Sequence, residues 1–132
     1  MKLQKFLFIL LTLAFFKIDF SQAQTSEVKA LSAADFEGLM KNKGAVRVID
    51  VRTPDEMADG HIQGAINLDY KNDNFKTEIA KLPKNRTYLL YCKTGIRSGD
   101  ASAAMKAAGF THLYSLDGGI EAWQEAGKPI EK

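Results

Sequence analysis

Short apolar runs alternate with amphipathic segments along this chain of 132 residues, and this alternation limits its possible folds more than any other feature. The apolar runs are rich in Val, Ile, Leu and Tyr, as buried strands of a parallel sheet are. The segments between them place apolar residues three or four positions apart, which is typical of helices that pack on a sheet. The predicted strands lie in residues 45–51, 61–68, 87–91 and 112–116, and the predicted helices lie in residues 31–42, 53–60, 74–82, 98–108 and 119–126.

Strands that alternate with helices are joined by crossover connections. The sequence therefore predicts an α/β fold with a mostly parallel sheet and helices on both of its faces. In such sheets, functional groups lie at the carboxyl ends of the strands. Asp50 and Arg52 stand at the end of one predicted strand, and Cys92 directly follows another. We therefore expect these three residues at the same edge of the sheet.

Two of the predicted helices begin with capping signals. Ser32 is followed three positions later by an acidic residue, which is the pattern of a capping box. Thr53 stands directly before Pro54 and three residues before Glu56. We expect Thr53 to cap its helix, Pro54 to occupy the first helical position and Glu56 to bond back to the cap.

The first 23 residues have the pattern of a secretory signal peptide. Lys2 and Lys5 precede an apolar run at residues 6–16, and small residues flank a short site at residues 21–23. The alternative is a membrane anchor, but the run is shorter than the roughly 20 apolar residues that span a bilayer. We therefore expect residues 1–23 to be removed, and residues 24–132 to form a single domain that is exported, to the periplasm, without stable insertion in a membrane.

The charge and residue counts exclude several classes of function. The chain has 18 basic and 16 acidic residues, and without residues 1–23 the two numbers are equal. It has no long basic run, so a nucleic-acid partner is not expected. One cysteine and two histidines do not make a zinc site, and no CxxC motif is present. The sequence therefore predicts neither a metal nor a cofactor.

Cys92 is the only cysteine, and it lies between the apolar run of residues 87–91 and a polar loop that opens a helix. A sulfur at such a junction faces backbone N–H groups and the positive end of a helix dipole, and both favour the thiolate. Lys93 and Arg97 in the same loop act in the same direction. A lone cysteine in an exported chain pairs with another chain, is buried or reacts, and the polar loop argues against burial. We therefore expect a sulfur nucleophile or an anion cradle.

Five segments of the chain occur in an order and at spacings that match one known family. They are residues 49–56 (IDVRTPDE), 60–68 (GHIQGAINL), 91–98 (YCKTGIRS), 109–110 (GF) and 116–129 (LDGGIEAWQEAGKP). Through these segments the chain resembles the single-domain rhodaneses, which are sulfurtransferases, from about Ser32 onward. The resemblance implies a five-stranded sheet of the rhodanese type within residues 24–132.

The resemblance also implies which residues form the site. Cys92 is expected to accept a sulfur atom, and the backbone amides of its loop are expected to hold the persulfide. The loop residues expected to bind the substrate are Lys93, Thr94, Gly95, Ile96 and Arg97, and those expected to support the site are Asp50, Arg52 and Ser98. The glycines expected to serve tight turns are Gly95, Gly118 and Gly119.

The sequence leaves the roles of the charged site residues open. Arg97 either binds an anionic donor or pairs with a carboxylate that braces the loop. Lys93 either contacts the donor or is a solvated charge. Asp50 and Arg52 are expected to be structural, Asp50 by tying loops together and Arg52 through an ion pair.

The spacing of the loop bears on the substrate. Phosphatases with a cysteine nucleophile place five residues between the cysteine and the arginine, so that the loop encircles a tetrahedral phosphate. Only four residues separate Cys92 from Arg97. The smaller ring is expected to suit a single sulfur atom, which argues against a phosphatase or an arsenate reductase.

The function expected from this resemblance is transfer of a sulfane sulfur from a donor such as thiosulfate to cyanide or a thiol, through a persulfide on Cys92. The partners would be small sulfur-containing anions and thiol acceptors, which include a protein thiol. One alternative is a periplasmic sulfur carrier with little turnover of small molecules. Another is an inactive interaction domain, and the intact Cys92 argues against it.

Overall fold

The computed structural model describes residues 28–132. The predicted signal peptide lies outside these residues. In the described part of the chain, five strands alternate with five helices: β1 (Lys29–Leu31), α1 (Ala33–Met40), β2 (Val46–Asp50), α2 (Pro54–Asp59), β3 (Ile66–Asn67), α3 (Phe75–Ala80), β4 (Thr87–Tyr91), α4 (Ile96–Ala107), β5 (Leu113–Leu116) and α5 (Gly119–Glu125).

The strands form one sheet in the order β1-β5-β4-β2-β3, and every pair within it is parallel. This arrangement confirms the predicted α/β fold with five strands. In the centre of the sheet, Asp50 is the register partner of Tyr91, so β2 and β4 end side by side. The residues that follow these two strands therefore meet at one edge, as the sequence predicts.

Helices cover both faces of the sheet and enclose two apolar cores. On one face, Tyr88 and Leu90 of β4 pack with side chains of α3 and α4, such as Phe75 and Met105. On the other face, α1 and α5 pack on the intervening residues of β4, Leu89 and Tyr91. Successive residues of β4 therefore enter opposite cores, which explains why β4 is a continuous apolar run in the sequence.

Both predicted helix starts have a side-chain cap, and the start at Thr53 also has the full capping box. The Ser32 side chain accepts a hydrogen bond from the Asp35 amide at 3.2 Å. Thr53 and Glu56 form a reciprocal capping box at the start of α2, with Pro54 in the first turn. The start of α4 differs from the prediction: the helix begins at Ile96 rather than at residue 98, because Gly95 already turns the chain.

No helix in residues 28–132 combines the length and the apolar character that a bilayer-spanning segment needs.

Candidate active site

Cys92 lies directly after β4, where a loop of three residues leads into α4. Gly95 ends this loop as the N-cap of α4, with a φ of 106° that favours glycine. The first backbone amides of a helix have no partner within the helix, so those of α4 are free to point at a group held in the loop. The fold therefore places the sulfur of Cys92 at the positive end of the longest helix described.

The sulfur of Cys92 is surrounded by hydrogen-bonding groups. The Gly95 amide donates to Cys92 Sγ at 3.1 Å, and the Ser98 hydroxyl lies 3.6 Å from the same atom. The residue is only 1% exposed. The expectation that Cys92 is not buried is therefore wrong. The loop is polar, but it folds back until Gly95 and Ser98 contact the sulfur and cover it.

The loop makes the Cys92 thiol more acidic despite this burial. Burial on its own raises the pKa of the Cys92 thiol. Hydrogen bonds from the Ser98 hydroxyl and from the backbone amides of Ser98, Gly95 and Thr94 stabilise the thiolate, and they outweigh burial so that the pKa falls below its ordinary value. The hydrogen-bond donors of the loop therefore favour a negative charge on the Cys92 sulfur more than burial opposes it.

The N-terminus of α5 holds the same loop from the other side. The Ile120 amide donates to the carbonyl oxygen of Cys92 at 2.9 Å, and the Glu121 amide donates to that of Lys93 at 3.2 Å. Gly119 lies against these two carbonyls with a φ of 62°. The loop is thus fixed by two helix starts, and the predicted need for glycine at 95, 118 and 119 is confirmed by their positive φ angles.

Asp50 and Arg52 form a buried network beside the loop. Their side chains make a bidentate ion pair, with Arg52 Nη2 at 2.8 Å from Asp50 Oδ2. Arg52 also donates to the carbonyl oxygen of Gly60, and the Tyr91 hydroxyl donates to Asp50 at 2.7 Å. These hydrogen bonds tie β2 to β4 and to the end of α2, and none of them reaches Cys92. The geometry therefore agrees with the structural role predicted for Asp50 and Arg52.

Arg97 pairs with a carboxylate. Its guanidinium donates to both carboxylate oxygens of Glu56, at 2.7 and 2.9 Å. The hydrogen bond from Arg97 is the main cause that brings the pKa of Glu56 down to about 2. Of the two predicted roles for Arg97, this geometry favours the brace, since the pair ties the start of α4 to α2.

The remaining loop side chains face outward. Lys93 is 3.7 Å from Glu121, and the side chains of this pair are 62% and 50% exposed. Thr94 is exposed, and Ile96 is 74% exposed. Lys93, Thr94 and Ile96 thus form the outer rim of the loop, while their backbone and Gly95 form its inner surface.

Ser115 is a polar neighbour of the site that the sequence did not reveal. Its hydroxyl lies on β5, 2.8 Å from the Ser98 hydroxyl. No motif marks a serine in the middle of a predicted strand, and its position beside α4 depends on the pairing of β4 with β5. The fold alone therefore brings Ser115 to the site.

Residues 28–132 contain no group of three or more His, Cys, Asp or Glu side chains placed to hold a metal ion.

The arrangement of the Cys92 loop supports the chemistry of an anionic sulfur under converging backbone amides. A second sulfur attached to Cys92 would be stabilised by the same donors.

Comparison with known proteins places the chain among relatives that share this fold. The family described as the Rhodanese-like domain matches residues 32–126. The chain is 36% identical over 101 residues to thiosulfate sulfurtransferase GlpE of Shewanella oneidensis, over 76% of this chain and 97% of GlpE. It is 38% identical over 107 residues to MoeZ of Mycobacterium tuberculosis, a probable adenylyltransferase/sulfurtransferase, and this alignment covers 81% of the chain and 27% of MoeZ. The chain therefore spans only about a quarter of the length of MoeZ.

A solved structure supports the same assignment. The crystal structure of a rhodanese-related protein from Thermoplasma volcanium superimposes with a TM-score of 0.66 and 30% identity, over 78% of this chain and 97% of that protein. The residues that the family matches include the Cys92 loop, and the GlpE relative and the solved structure each cover about three quarters of the chain. The chain belongs to the rhodanese-like domain family.

Proposed function

We propose that this protein is a rhodanese-type sulfurtransferase that moves a sulfane sulfur from a donor such as thiosulfate to a thiophilic acceptor. The observation that carries the proposal is the Cys92 sulfur, which is held by the Gly95 amide and has a lowered pKa. The relative GlpE, which this chain covers almost completely, is named as a thiosulfate sulfurtransferase.

The first step is a nucleophilic displacement at sulfur. The Cys92 thiolate attacks the outer sulfur of thiosulfate, and a new S–S bond forms as the bond between the two sulfur atoms of thiosulfate breaks. Sulfite leaves with the electron pair of that bond. The enzyme is left with a persulfide anion on Cys92, so total charge is unchanged and no oxidant is needed.

The loop amides are suited to hold this persulfide. Removal of the terminal sulfur by cyanide or by a thiolate restores the Cys92 thiolate and gives thiocyanate or a new persulfide. The amides of Thr94, Gly95 and Ser98 stabilise negative charge on Cys92 before and after transfer. Because only four residues separate Cys92 from Arg97, we expect the ring of the loop to suit one additional sulfur atom.

We assign attraction of the anionic donor to Lys93 rather than to Arg97. Arg97 is engaged in a bidentate pair with Glu56. Lys93 is mostly exposed, and its ammonium lies 3.7 Å from the Glu121 carboxylate. The exposed ammonium of Lys93 can exchange its weak, solvated ion pair with Glu121 for a doubly charged donor at little cost. Thr94 and Ile96 are exposed on the same rim of the loop and would contact the acceptor.

A sulfur carrier is the second candidate, and the burial of Cys92 favours it. A sulfur that is 1% exposed would be protected from small molecules in solution and released to one specific protein thiol. A phosphatase is disfavoured, because the short loop leaves little room for a phosphoryl group.

We further propose that the protein acts outside the cytoplasm, in the periplasm, where it handles cyanide, thiosulfate or polysulfide. This proposal rests on the pattern of residues 1–23. Expression of the full chain in a bacterium with a periplasm, followed by fractionation and N-terminal sequencing, tests it. We expect a periplasmic product that begins near Gln24, and an uncleaved cytoplasmic product would overturn the proposal.

The test of function is steady-state production of thiocyanate from thiosulfate and cyanide. An enzyme with a persulfide intermediate gives parallel double-reciprocal lines, and Cys92→Ser abolishes turnover. Glu78→Gln, which alters an exposed ion pair on α3, is the matched control and keeps full activity. Stable persulfide with negligible turnover indicates the carrier instead. Hydrolysis of a chromogenic phosphate ester that is lost in Cys92→Ser would overturn both sulfur functions.

A further inference from the structure

Three small polar side chains form a buried row that ends at the reactive sulfur. Ser115 on β5 is 6% exposed, Ser98 on α4 is fully buried and Cys92 is 1% exposed. The two hydroxyl oxygens are 2.8 Å apart, and Ser98 Oγ is 3.6 Å from Cys92 Sγ. Each of these residues comes from a different element, so the row exists only in the folded protein.

The number of available protons limits the direction of these hydrogen bonds. Each hydroxyl donates one proton, so Ser98 cannot donate to Ser115 and to Cys92 at the same time. The Ser98 hydroxyl donates to the carbonyl oxygen of Gly95 at 3.1 Å, and that oxygen also accepts a hydrogen bond from the Gly99 amide at 3.1 Å. The Gly95 carbonyl therefore keeps a donor when the Ser98 proton turns to the sulfur.

Ser115 has fewer choices than Ser98. The hydrogen bond to Ser98 is the contact that the structure records for its hydroxyl. A buried hydroxyl without an acceptor for its proton is costly, so the favourable arrangement has Ser115 donating to Ser98. Ser98 then does not give its proton to Ser115, and that proton can turn from the Gly95 carbonyl to the thiolate.

We infer that Ser115 is a positioning residue of the active site: its hydroxyl donates to Ser98 and thereby directs the Ser98 proton to the Cys92 sulfur. The inference rests on the proposed role of Cys92 as a thiolate. In a buried setting, a donor that receives a hydrogen bond becomes a stronger donor itself. Ser115 thus stabilises the anionic sulfur, and a persulfide on it, without touching either.

The ion pairs around the Cys92 loop do not involve Ser115. Arg97 of α4 is paired with Glu56 of α2, and Lys93 is near Glu121 of α5. The buried pair of Asp50 and Arg52 extends from β2. None of these side chains is recorded in a hydrogen bond with either serine. A change at Ser115 therefore alters the hydroxyl row and leaves the charges of the site in place.

The test is a pH titration of the thiolate absorbance near 240 nm, measured as the difference from Cys92→Ser. Because Cys92 is the only cysteine, the difference reports on one group. With Ser115→Ala we expect the midpoint to rise, so that the thiolate fraction below the midpoint falls by about twofold to tenfold. Ser102→Ala is the matched control, since Ser102 is a buried serine of α4 whose oxygen has no hydrogen-bond partner. Its midpoint should equal that of the wild type.

The sign of the change decides the matter. A midpoint that falls in Ser115→Ala would show that Ser98 donates to Ser115, and an unchanged midpoint would show that the row has no influence, so either result overturns the inference. Threonine and valine have nearly the same shape and differ in the hydroxyl group, so only Ser115→Thr should have the wild-type midpoint. Comparing Ser115→Thr with Ser115→Val separates loss of the hydroxyl from altered packing and from any loss of stability in Ser115→Ala.

The titration needs no sulfur transfer, so it separates this inference from the proposed function. A protein that titrates as expected but takes up no sulfur would overturn the function alone. If the protein forms a persulfide but the Cys92 titration midpoint is the same in wild type and Ser115→Val, the role of Ser115 alone is overturned.

Discussion

Substitution of Gly119 by alanine tests how closely α5 supports the Cys92 loop. A Cβ atom at this position would clash with the carbonyl group of Lys93 and would lie 2.6 Å from the carbonyl oxygen of Cys92. Both neighbours are backbone atoms of the active-site loop, so they cannot move aside as a flexible side chain does. The backbone φ of 62° adds a second penalty, because alanine is disfavoured in the left-handed region.

The two penalties can be separated with a second glycine. Gly127 has a similar φ of 75°, but a Cβ atom there meets nothing within 4 Å. For Gly127→Ala we expect only the conformational cost of about 1 to 2 kcal/mol, partly offset by the stiffer unfolded chain. Gly119→Ala adds an overpacking cost of about 1 to 3 kcal/mol. Its total destabilisation should be about 2 to 5 kcal/mol.

Urea unfolding of the two variants and the wild type measures this difference directly. Gly119→Ala should also raise the midpoint of the Cys92 titration, because the loop amides shift away from the sulfur, and Gly127→Ala should leave that midpoint unchanged. Equal loss of stability in the two variants would refute the reasoning. It would mean that α5 does not press on the loop carbonyls as the structure describes.

Two further predictions concern the ion pairs around the site. The pKa of Glu56 is lowered from 4.5 to about 2, chiefly by the Arg97 hydrogen bond, so the ionised Glu56 stabilises the folded protein above pH 4.5 and this contribution is lost as the pH falls toward 2. The Tm difference between wild type and Glu56→Gln should therefore shrink over that range in thermal scans, and a constant difference would contradict it. Asp50→Asn leaves Arg52 buried without a charged partner and should cost about 3 to 5 kcal/mol in urea unfolding. Glu78→Gln, which breaks an exposed pair, should cost at most about 1 kcal/mol, and similar losses in both would argue against the buried network.

The sequence was most informative where local pattern and fold agree. The β-branched run of β2 and the apolar run of β4 are buried on both faces, so their strands were predicted nearly to the residue. The capping box of α2 was also predicted correctly, because its residues lie within four positions of one another. Such features depend on neighbours in the chain and can be recognised without a fold.

Features that depend on tertiary contacts were missed. β1 is a three-residue edge strand with two exposed positions, so its pairing with β5 leaves no pattern in the sequence. The burial of Cys92 follows from the path of the loop, which the polar character of its residues did not indicate. The Tyr91 hydroxyl finds its partner on the neighbouring strand β2, at Asp50, and the Ser115 hydroxyl finds its partner on α4, at Ser98.

The most direct test of the account is the intact mass of the purified protein after incubation with thiosulfate and removal of the excess. Wild-type protein should gain the mass of one sulfur atom, and cyanide should remove it. Cys92→Ser should gain nothing. No gain by the wild type with thiosulfate or a polysulfide donor, or an equal gain by Cys92→Ser, would contradict the claim that Cys92 carries a transferable sulfur.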